Sequence, residues 1–451
     1  MRRKTAASTA AAAKPAAWLA EGPRATGRFA TDAARTAAWC ARGDALVRDL
    51  PPAAAARIKD AANEARHALF RAHPEALYDA VADGDDGLRV DDLAYAVATR
   101  YPGLLPTRRM IADELARAPD QKEGHELAQA LFVAALLDHP RVGHAMIAAM
   151  GRPTARALEL LATFRERGTI DLGKARLVRD GVVGTLVLSN PEFLNAEDDA
   201  LLEALECGLD LLLLDPAVEV VVLRGDVMQH PKYRGRRVFC SGLNLTHLAQ
   251  GKLSYLYFVL RELGLVNKLY RGLSAPAIEK PWIGVVEAHA IGGGCQLLLV
   301  ADHVIAEAGS YFAVPARNEG FVPGVAGLRL PRYMGQRLSR EMIFHNRAVS
   351  ADSPEGRLLV DEVVSRDSVD AAIEKATTAF ASSGAIAIAA NRRALRIGAE
   401  PLDVFRTVMA SFAIDQARCV FKTPAAFGST TRDKSRSGSR TSGSAPRSRR
   451  K

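Results

Sequence analysis

The chain has 451 residues, of which 48% are apolar and 25% are charged, as in a globular protein large enough for more than one domain. Of its formal charge of +9, residues 429–451 contribute +7 and residues 1–28 contribute +5, which leaves −3 for residues 29–428. A uniformly basic, nucleic-acid-binding body is therefore excluded, and the two basic ends are predicted to be disordered.

The cysteines and the apolar segments favour a cytoplasmic location. Five cysteines is an odd number, and none of them forms a Cys-x-x-Cys pair, which is typical of a reducing compartment without structural zinc. Lys14 interrupts the N-terminal alanine run and no stretch of about eighteen apolar residues occurs, so neither a signal peptide nor a membrane span is expected. The basic tail could contact nucleic acid, but it lacks interleaved aromatic residues, so a solvated tail is favoured.

In chain order, the first predicted unit is an all-helical domain over residues 29–172. An α/β core follows over residues 173–385, because strands alternate there with helices as in parallel βαβ units. A hairpin that turns at Asp180-Gly181 opens this core, and residues 386–428 are predicted to be C-terminal helices. In the first unit, apolar residues at three-to-four spacing predict helices at 53–70, 91–99, 108–118 and 124–137.

Two glycine-bearing segments about fifty residues apart carry the most specific signal. The first is VFCSGLNL at residues 238–245, and the second is AHAIGGGCQ at residues 288–296. Each follows a predicted strand and could present a backbone N–H where a Cβ atom would otherwise crowd a ligand. Two such groups that converge on one oxygen form an oxyanion hole, which can stabilise a thioester enolate. Tight helix–sheet packing is the alternative explanation for the second segment's glycines.

These segments resemble motifs of the crotonase (enoyl-CoA hydratase/isomerase) superfamily. FCSGLNL is similar to its FxAGxDL-type segment, and KPWIGVV at residues 280–286 followed by GGGCQ is similar to its KPxIAxVxGxAxGGGxE segment. The resemblance covers roughly residues 176–380 and implies an α/β spiral of ββα units that assembles as trimers or dimers of trimers. It also implies acyl-CoA substrates and an oxyanion hole formed by the amides of Leu243 and Gly293.

Departures from the superfamily pattern argue against hydration. Hydratases of the superfamily carry one glutamate at the last position of the second glycine segment and another directly after a later proline, and these two carboxylates activate and deliver water. Here the first position is Gln296, and Pro315 is followed by Ala316. Glutamine cannot accept a proton at neutral pH and alanine has no functional group, so the enolate machinery is kept while water activation is lost.

A dioxygenase branch of the superfamily combines such a site with a helical N-terminal domain, and this chain resembles it over most of its length. LNAED at residues 194–198, RELG at 261–264 and GCQ at 294–296 carry the likeness. The resemblance implies oxygenation of an arylacetyl-CoA, most specifically 3,5-dihydroxyphenylacetyl-CoA, to an aryl glyoxylate and CoA by O₂. The reaction would be a step of antibiotic biosynthesis and would use no metal and no organic cofactor. The link at residues 271–277 is shorter than in that branch, which could alter water exclusion or assembly.

The same resemblance implies the substrate contacts. Glu197, Arg261 and Gln296 are expected to bind the ring hydroxyls, which need hydrogen-bond partners when buried. A surface ion pair for Arg261 and an acid in a first helical turn for Glu197 are the structural alternatives. CoA is expected to contact the first glycine segment and the loop before it, where basic residues could face its phosphates or simply be solvated. These residues are His230, Pro231, Lys232 and Tyr233, then Arg234, Arg236 and Arg237, and Ser241 and Leu245.

Two other classes of function stay open at the level of sequence. One is a thioesterase, isomerase or decarboxylase of the same superfamily that acts on another acyl-CoA. The other is a non-catalytic acyl-CoA-binding protein, since a family motif can persist after its chemistry is lost. The residues also leave open which group removes the α-proton and which side chains line a pocket for O₂.

Overall fold

The computed structural model of the protein describes residues 15–85, 87–382 and 384–422. Its N-terminal region is helical, as predicted, and prolines at the first helical positions of three helices fix φ in the helical range. The first strand begins at Thr169, slightly before the predicted end of the helical region. The helices of this region are Phe29–Val47, Pro52–Ala72, Pro74–Ala82, Val90–Arg100, Arg108–Leu115, Glu126–Asp138, Pro140–Met150 and Ala155–Arg167.

Residues 15–28 are folded, contrary to the prediction of a disordered segment over residues 1–28. Residues 15–20 are helical, and the Trp18 ring stacks on Trp39 with 3.7 Å between ring centroids. Each indole N–H donates to the other residue's carbonyl at 3.0 Å. Burial of this aromatic pair offsets the conformational entropy lost when the segment is ordered. The prediction of disorder rested on the basic charge of the segment, which does not reveal this contact. Residues 1–14 and the predicted basic tail at 429–451 lie outside the described residues.

The core contains a large mixed sheet, a smaller three-stranded sheet and a two-stranded antiparallel pair, as the predicted alternation of strands and helices requires. In chain order the strands are β1 (Thr169–Asp171), β2 (Ala175–Asp180), β3 (Val183–Leu188), β4 (Val220–Gly225), β5 (Leu273–Ser274), β6 (Ala277–Ile278), β7 (Trp282–Val286), β8 (His289–Ile291), β9 (His303–Glu307), β10 (Tyr311–Ala313), β11 (Val349–Ser350) and β12 (Glu362–Val364). The large sheet has the order β1-β2-β3-β4-β7-β9-β12, the smaller has the order β11-β10-β8, and β5 pairs with β6.

The register of the large sheet explains where the site lies. β2 and β3 form the predicted hairpin, with Asp180 opposite Val183, and β4, β7, β9 and β12 then add in parallel. All five residues of β7 are buried, as expected of a parallel strand covered on both faces. β7 leads directly into β8 and the second glycine segment, so the sheet delivers that segment to the carboxyl ends of its strands.

Helices connect these strands and cover them. One of them departs from α-helical geometry, because Tyr255–Leu260 continues as a π-helical turn over Arg261–Val266 before Asn267–Arg271. Such turns occur frequently at functional sites. The other helices of the core are Asp199–Leu214, Leu245–Ala249, Gly293–Leu298, Ala316–Glu319, Ala326–His345 and Val369–Ser382.

The C-terminal helices, Ala385–Ala399 and Leu402–Lys422, do not form a separate layer. Leu402–Lys422 packs against Glu126–Asp138 of the N-terminal region, and the Tyr255 hydroxyl donates to the Ala413 carbonyl at 2.6 Å. The last helix therefore joins the N-terminal helices to the core. Among the described helices, none is both long enough and apolar enough to cross a membrane. The cytoplasmic location stays a prediction.

Candidate active site

The two glycine-bearing segments lie side by side. Cys240 and Ala290 form a parallel bridge, in which the Ile291 N–H donates to the Cys240 carbonyl at 3.0 Å. Gly242 has a φ of 80°, and a Cβ atom on it would come within 2.8 Å of the Ile291 carbonyl oxygen. Both the backbone conformation and the close approach of the second segment therefore require glycine at this position.

Leu243 and Gly293, the predicted oxyanion donors, line the same cavity. Leu243 directly follows Gly242, and Gly293 is the first residue of the helix Gly293–Leu298, where a backbone N–H has no partner within the helix. The structure thus brings together the two positions that the sequence pairs. That their amides bind a thioester oxygen stays a prediction.

The cavity combines an apolar wall with a cluster of charged groups. Its volume is about 60 Å³, below the roughly 300–1,000 Å³ of pockets that enclose drug-sized ligands, so the lining must open to admit an aryl ring. Its apolar wall includes Phe258, Val314, Pro315, Ala316, Phe321, Val322, Pro323 and Phe412. Its polar lining includes Glu197, Arg261, Glu262, Gln296, Glu319 and Gln416.

Arg261 is the centre of the charged cluster and is only 4% exposed. Its Nη1 donates to Glu262 Oε1 at 2.6 Å and to Gln296 Oε1 at 3.1 Å, and its Nη2 donates to Glu197 Oε1 at 3.0 Å and to the Gly293 carbonyl at 2.8 Å. Its Nε donates to Glu197 Oε2. These contacts occupy all five N–H donors of a guanidinium. Burial alone would lower the pKa of Arg261, but the two carboxylates raise it well above its usual value.

Glu197 is the principal partner of Arg261. Its carboxylate also accepts from the Tyr257 hydroxyl at 2.9 Å and from the Cys240 thiol at 3.7 Å. A surface ion pair for Arg261 is therefore wrong, because both members of the pair are buried. Direct binding of a ring hydroxyl by Arg261 stays a prediction, and it would require the guanidinium to release one of its present partners.

Glu197 also ties the charged cluster to the first glycine segment through its backbone. Its N–H donates to the Gly242 carbonyl at 2.6 Å, and its carbonyl accepts from the Asn244 N–H at 2.7 Å. Leu243 lies between these two hydrogen bonds, opposite Glu197 in an isolated parallel bridge. The position of the Leu243 amide is consequently coupled to that of Glu197.

Two carboxyl groups that the sequence analysis did not single out also line the cavity. Glu262 lies in the π-helical turn, and its buried Oε2 has no hydrogen-bond partner among the described residues. Glu319 is the last residue of the short helix Ala316–Glu319, and burial raises its pKa from 4.5 to about 7. A buried oxygen without a partner and a perturbed pKa both mark candidates for contact with a substrate. The sequence signals for Glu262 were its place in the RELG segment and its adjacency to Arg261.

The residues predicted to contact CoA do not line this cavity. His230, Pro231 and Lys232 are exposed at the turn Pro231–Tyr233, where the Tyr233 ring packs on His289 with centroids 5.4 Å apart. Of the nearby arginines, Arg236 donates to Glu307 and Arg237 donates to the Gly225 carbonyl, whereas Arg234 is exposed. Lys232 and Arg234 thus stay available for a phosphate group, and the CoA contact stays a prediction.

Ser241 and Leu245 lie at opposite ends of the first glycine segment's turn. Ser241 Oγ is 2.8 Å from Nε2 of His289, and burial lowers the pKa of that histidine to about 4, so the ring is neutral at pH 7. Leu245 begins the helix Leu245–Ala249 and is 45% exposed. Within the described residues, no group of three or more His, Cys, Asp and Glu side chains is arranged to hold a metal ion.

The chain is similar to known enzymes that act on acyl-CoA thioesters. A family model described as enoyl-CoA hydratase/isomerase matches residues 179–411. The (3,5-dihydroxyphenyl)acetyl-CoA 1,2-dioxygenase of Amycolatopsis orientalis is 46% identical over 376 residues, which cover 82% of this chain and 86% of that protein. The crotonyl-CoA hydratase of Syntrophomonas wolfei is 28% identical and covers 49% of this chain and 81% of that protein.

A solved structure gives a further comparison. An enoyl-CoA hydratase from Mycobacterium avium subsp. paratuberculosis is 18% identical and covers 59% of this chain and 97% of that chain, with a TM-score of 0.49. The dioxygenase match, which covers 82% of this chain, necessarily includes part of the helical N-terminal region. With a family model matched over half of its length and a relative 46% identical over most of both chains, this protein belongs to the enoyl-CoA hydratase/isomerase (crotonase) family, and the predicted crotonase-type fold is confirmed.

Proposed function

We propose that this protein is a dioxygenase that converts 3,5-dihydroxyphenylacetyl-CoA and O₂ into 3,5-dihydroxyphenylglyoxylate and CoA. The observation that carries the proposal is the 46% identity to the Amycolatopsis dioxygenase over 82% of the chain. The cavity supports it, because Gln296 and Ala316 line the cavity at the positions where hydratases carry their two glutamates. Without those carboxylates the site has no means of activating water in the hydratase manner.

The first step is the formation of an enolate. Loss of an α-proton places negative charge on the thioester oxygen and, through conjugation, on the aryl ring. The Leu243 and Gly293 amides stabilise the negative charge on the enolate oxygen, and one such donor lowers the activation barrier by on the order of 3 kcal/mol. Gln296 suits this step better than a glutamate would, because a second negative charge next to the enolate would oppose its formation.

The enolate then reacts with O₂ itself. An electron-rich benzylic carbanion can transfer one electron to O₂, and recombination gives a peroxide at the α-carbon. Its terminal oxygen attacks the thioester carbon and displaces the CoA thiolate. Loss of the second α-proton and cleavage of the O–O bond leave one oxygen as the ketone and the other in the carboxylate. The carbanion is the reductant, so the proposed reaction uses neither a metal nor an organic cofactor.

The apolar wall suits a reaction with O₂. Phe258 and Phe321 lie with ring centroids 5.9 Å apart, and Phe412 joins them from the C-terminal helix. An apolar surface favours O₂ over water, and exclusion of water protects the enolate from reprotonation. The C-terminal helix Leu402–Lys422 thereby contributes Phe412 to the apolar wall of the cavity.

Glu262 is proposed to accept a hydrogen bond from a ring hydroxyl. Its Oε2 is buried at the cavity without a partner among the described residues, whereas Arg261 has no unused donor. A phenol is a hydrogen-bond donor, and a carboxylate is its strongest protein acceptor. Arg261 would then act by orienting Glu262, Glu197 and Gln296 rather than by contacting the ring.

Replacement of Glu262 by glutamine tests this contact. A hydrogen bond to a charged group contributes about 1.5–3 kcal/mol, so Glu262→Gln is expected to weaken anaerobic binding of 3,5-dihydroxyphenylacetyl-CoA by about 10- to 100-fold. Binding of unsubstituted phenylacetyl-CoA, measured by calorimetry under the same conditions, serves as the internal control and should change by less than about three-fold. Equal losses for both thioesters would show that Glu262 does not recognise the hydroxyl.

An oxygen-electrode assay tests the function as a whole. One O₂ is expected to be consumed for each CoA released from 3,5-dihydroxyphenylacetyl-CoA, and a chelator should leave the rate unchanged. Release of CoA without O₂ would favour a thioesterase, isomerase or decarboxylase of the same family. Tight binding of the thioester without turnover would favour a non-catalytic acyl-CoA-binding protein.

Self-association as a trimer or a dimer of trimers is proposed as well. The helix Ala385–Ala399 supports it, because three of its large apolar side chains are mostly solvent-exposed in the isolated chain. Contact with a second subunit through this helix would bury these side chains. These side chains are Ile386, Leu395 and Ile397, which are 87%, 77% and 71% exposed.

A further inference from the structure

We propose that Glu319 is the base that removes the α-protons of the substrate. The inference rests on the proposed function, since it assigns the proton transfer that forms the enolate. It also adds to the family's pattern, because the two positions where hydratases place their catalytic carboxylates hold Gln296 and Ala316 here.

The position of Glu319 carries the proposal. It ends the helix Ala316–Glu319, three residues after Ala316, and it lines the same cavity as Leu243 and Gly293. The first residue of this helix, Ala316, lacks the carboxylate that hydratases carry there, whereas its last residue, Glu319, has one. The Leu243 and Gly293 amides would bind the thioester carbonyl oxygen in this cavity. The adjacent α-carbon, which must lose its proton, would then lie in the same cavity as Glu319.

Other groups at the cavity are less suited to this role. Glu197 accepts from Arg261 through both oxygens, and Glu262 accepts from Arg261 through one, so a proton on either would weaken a buried ion pair. Tyr257 donates to Glu197, and burial raises its pKa well above 10, so it stays protonated. The Glu319 carboxyl group has no hydrogen-bond or ion-pair partner among the described residues, since burial is the only influence on its pKa, and it can take a proton without breaking a contact.

The surroundings of Glu319 tune its basicity. Burial raises its pKa to about 7, and a general base is most effective when its pKa lies near the working pH. The other charged groups that line the cavity are Glu197, Arg261 and Glu262, and they neutralise one another in part. On its own helix, Arg317 is exposed and donates to the Phe344 carbonyl. The neighbouring helix Ala326–His345 adds no residue to the cavity lining.

A single carboxylate at position 319 can carry out every proton transfer that the proposed reaction requires. Glu319 first takes an α-proton, and the electron pair of the broken C–H bond becomes part of the enolate. The neutral acid then gives this proton to the CoA thiolate when the peroxide displaces it. The regenerated carboxylate takes the second α-proton as the O–O bond breaks, and this proton passes to solvent.

Hydrogen exchange in the absence of O₂ isolates the proposed step. In D₂O without O₂, the wild-type enzyme is expected to catalyse exchange of the α-protons of 3,5-dihydroxyphenylacetyl-CoA for deuterium, which mass spectrometry of the thioester would follow. Glu319→Gln should slow this exchange by about 10²- to 10⁴-fold, the usual contribution of a general base, while the thioester still binds with similar affinity. Asn318→Ala changes an exposed neighbour on the same helix and should leave the exchange rate unchanged.

The pH profile of wild-type exchange gives a second test that needs no variant. A base must be ionised, so the rate should fall about ten-fold per pH unit below about pH 7 and level off above it. An exchange rate that does not fall below about pH 7, or a Glu319→Gln exchange rate within about ten-fold of wild type, would overturn the assignment of Glu319 as the base. If the wild-type enzyme exchanges α-protons but consumes no O₂, the dioxygenase proposal fails while the base assignment stands. If it consumes O₂ and Glu319→Gln exchanges normally, only the base assignment fails.

Discussion

Replacement of Gly293 by alanine is expected to lower kcat by about 10²- to 10³-fold, the effect of removing one oxyanion donor. A Cβ atom at this position would lie 2.6 Å from Glu197 Oε2 and 2.8 Å from its Cδ. The carboxylate cannot retreat, because Arg261 and Tyr257 hold it. The backbone at residue 293 must therefore shift, and its N–H is displaced from the oxygen it would stabilise.

Steady-state kinetics with the arylacetyl-CoA substrate would measure this loss, which should appear in kcat more than in KM because the interaction strengthens in the transition state. Gly327→Ala is the matched control, since a Cβ atom there meets nothing within 4 Å. The control should retain wild-type activity. A Gly293→Ala enzyme within about three-fold of wild-type kcat would argue against an oxyanion contact at this amide.

Replacement of Arg261 by leucine is expected to destabilise the fold by about 3–5 kcal/mol, because it leaves two buried carboxylates without their counterion. Glu197 and Glu262 are 3% and 2% exposed, and both accept from Arg261. Activity should be abolished, since Glu197 also holds the first glycine segment through its backbone. Arg261→Lys should recover part of the stability and little activity, because lysine cannot reproduce the planar five-donor contact.

Urea denaturation would measure the change in the free energy of unfolding, together with kcat under native conditions. Arg66→Leu is the matched control, because Arg66 is also buried and pairs with Asp44, but it lies in the N-terminal helical region away from the cavity. The control should lose stability and keep its kcat. Wild-type stability in Arg261→Leu would contradict the role of Arg261 as the counterion of Glu197 and Glu262.

Much of the fold and part of the site were predictable from local patterns. The hairpin at Asp180-Gly181 and four of the eight α-helices described over residues 29–167 follow from turn residues and apolar periodicity, which reflect hydrogen bonding between neighbours in the chain. The glycine segments were predictable for a related reason. Only glycine tolerates the backbone geometry at Gly242, so the residue type itself reports a close approach.

Contacts between distant segments were not predictable in this way. Four of the five hydrogen bonds that Arg261 donates go to two distant segments, to Glu197 and to the helix Gly293–Leu298, so its environment depends mainly on how those segments pack. Phe412 reaches the cavity because the last helix packs against Glu126–Asp138. Trp18 is folded onto Trp39 although its segment is basic.

The roles of the two cavity carboxylates follow from the same distinction. Residue type and spacing establish that Gln296 and Ala316 cannot activate water, since that depends on side-chain chemistry alone. Residue type cannot establish that Glu262 keeps one oxygen free or that Glu319 has a pKa near 7, because both properties arise from burial and from partners supplied by other elements. Local hydrogen bonding and side-chain chemistry can be predicted from neighbouring residues in the sequence. Solvation and charge pairing cannot, because they depend on which distant segments the folded chain brings together.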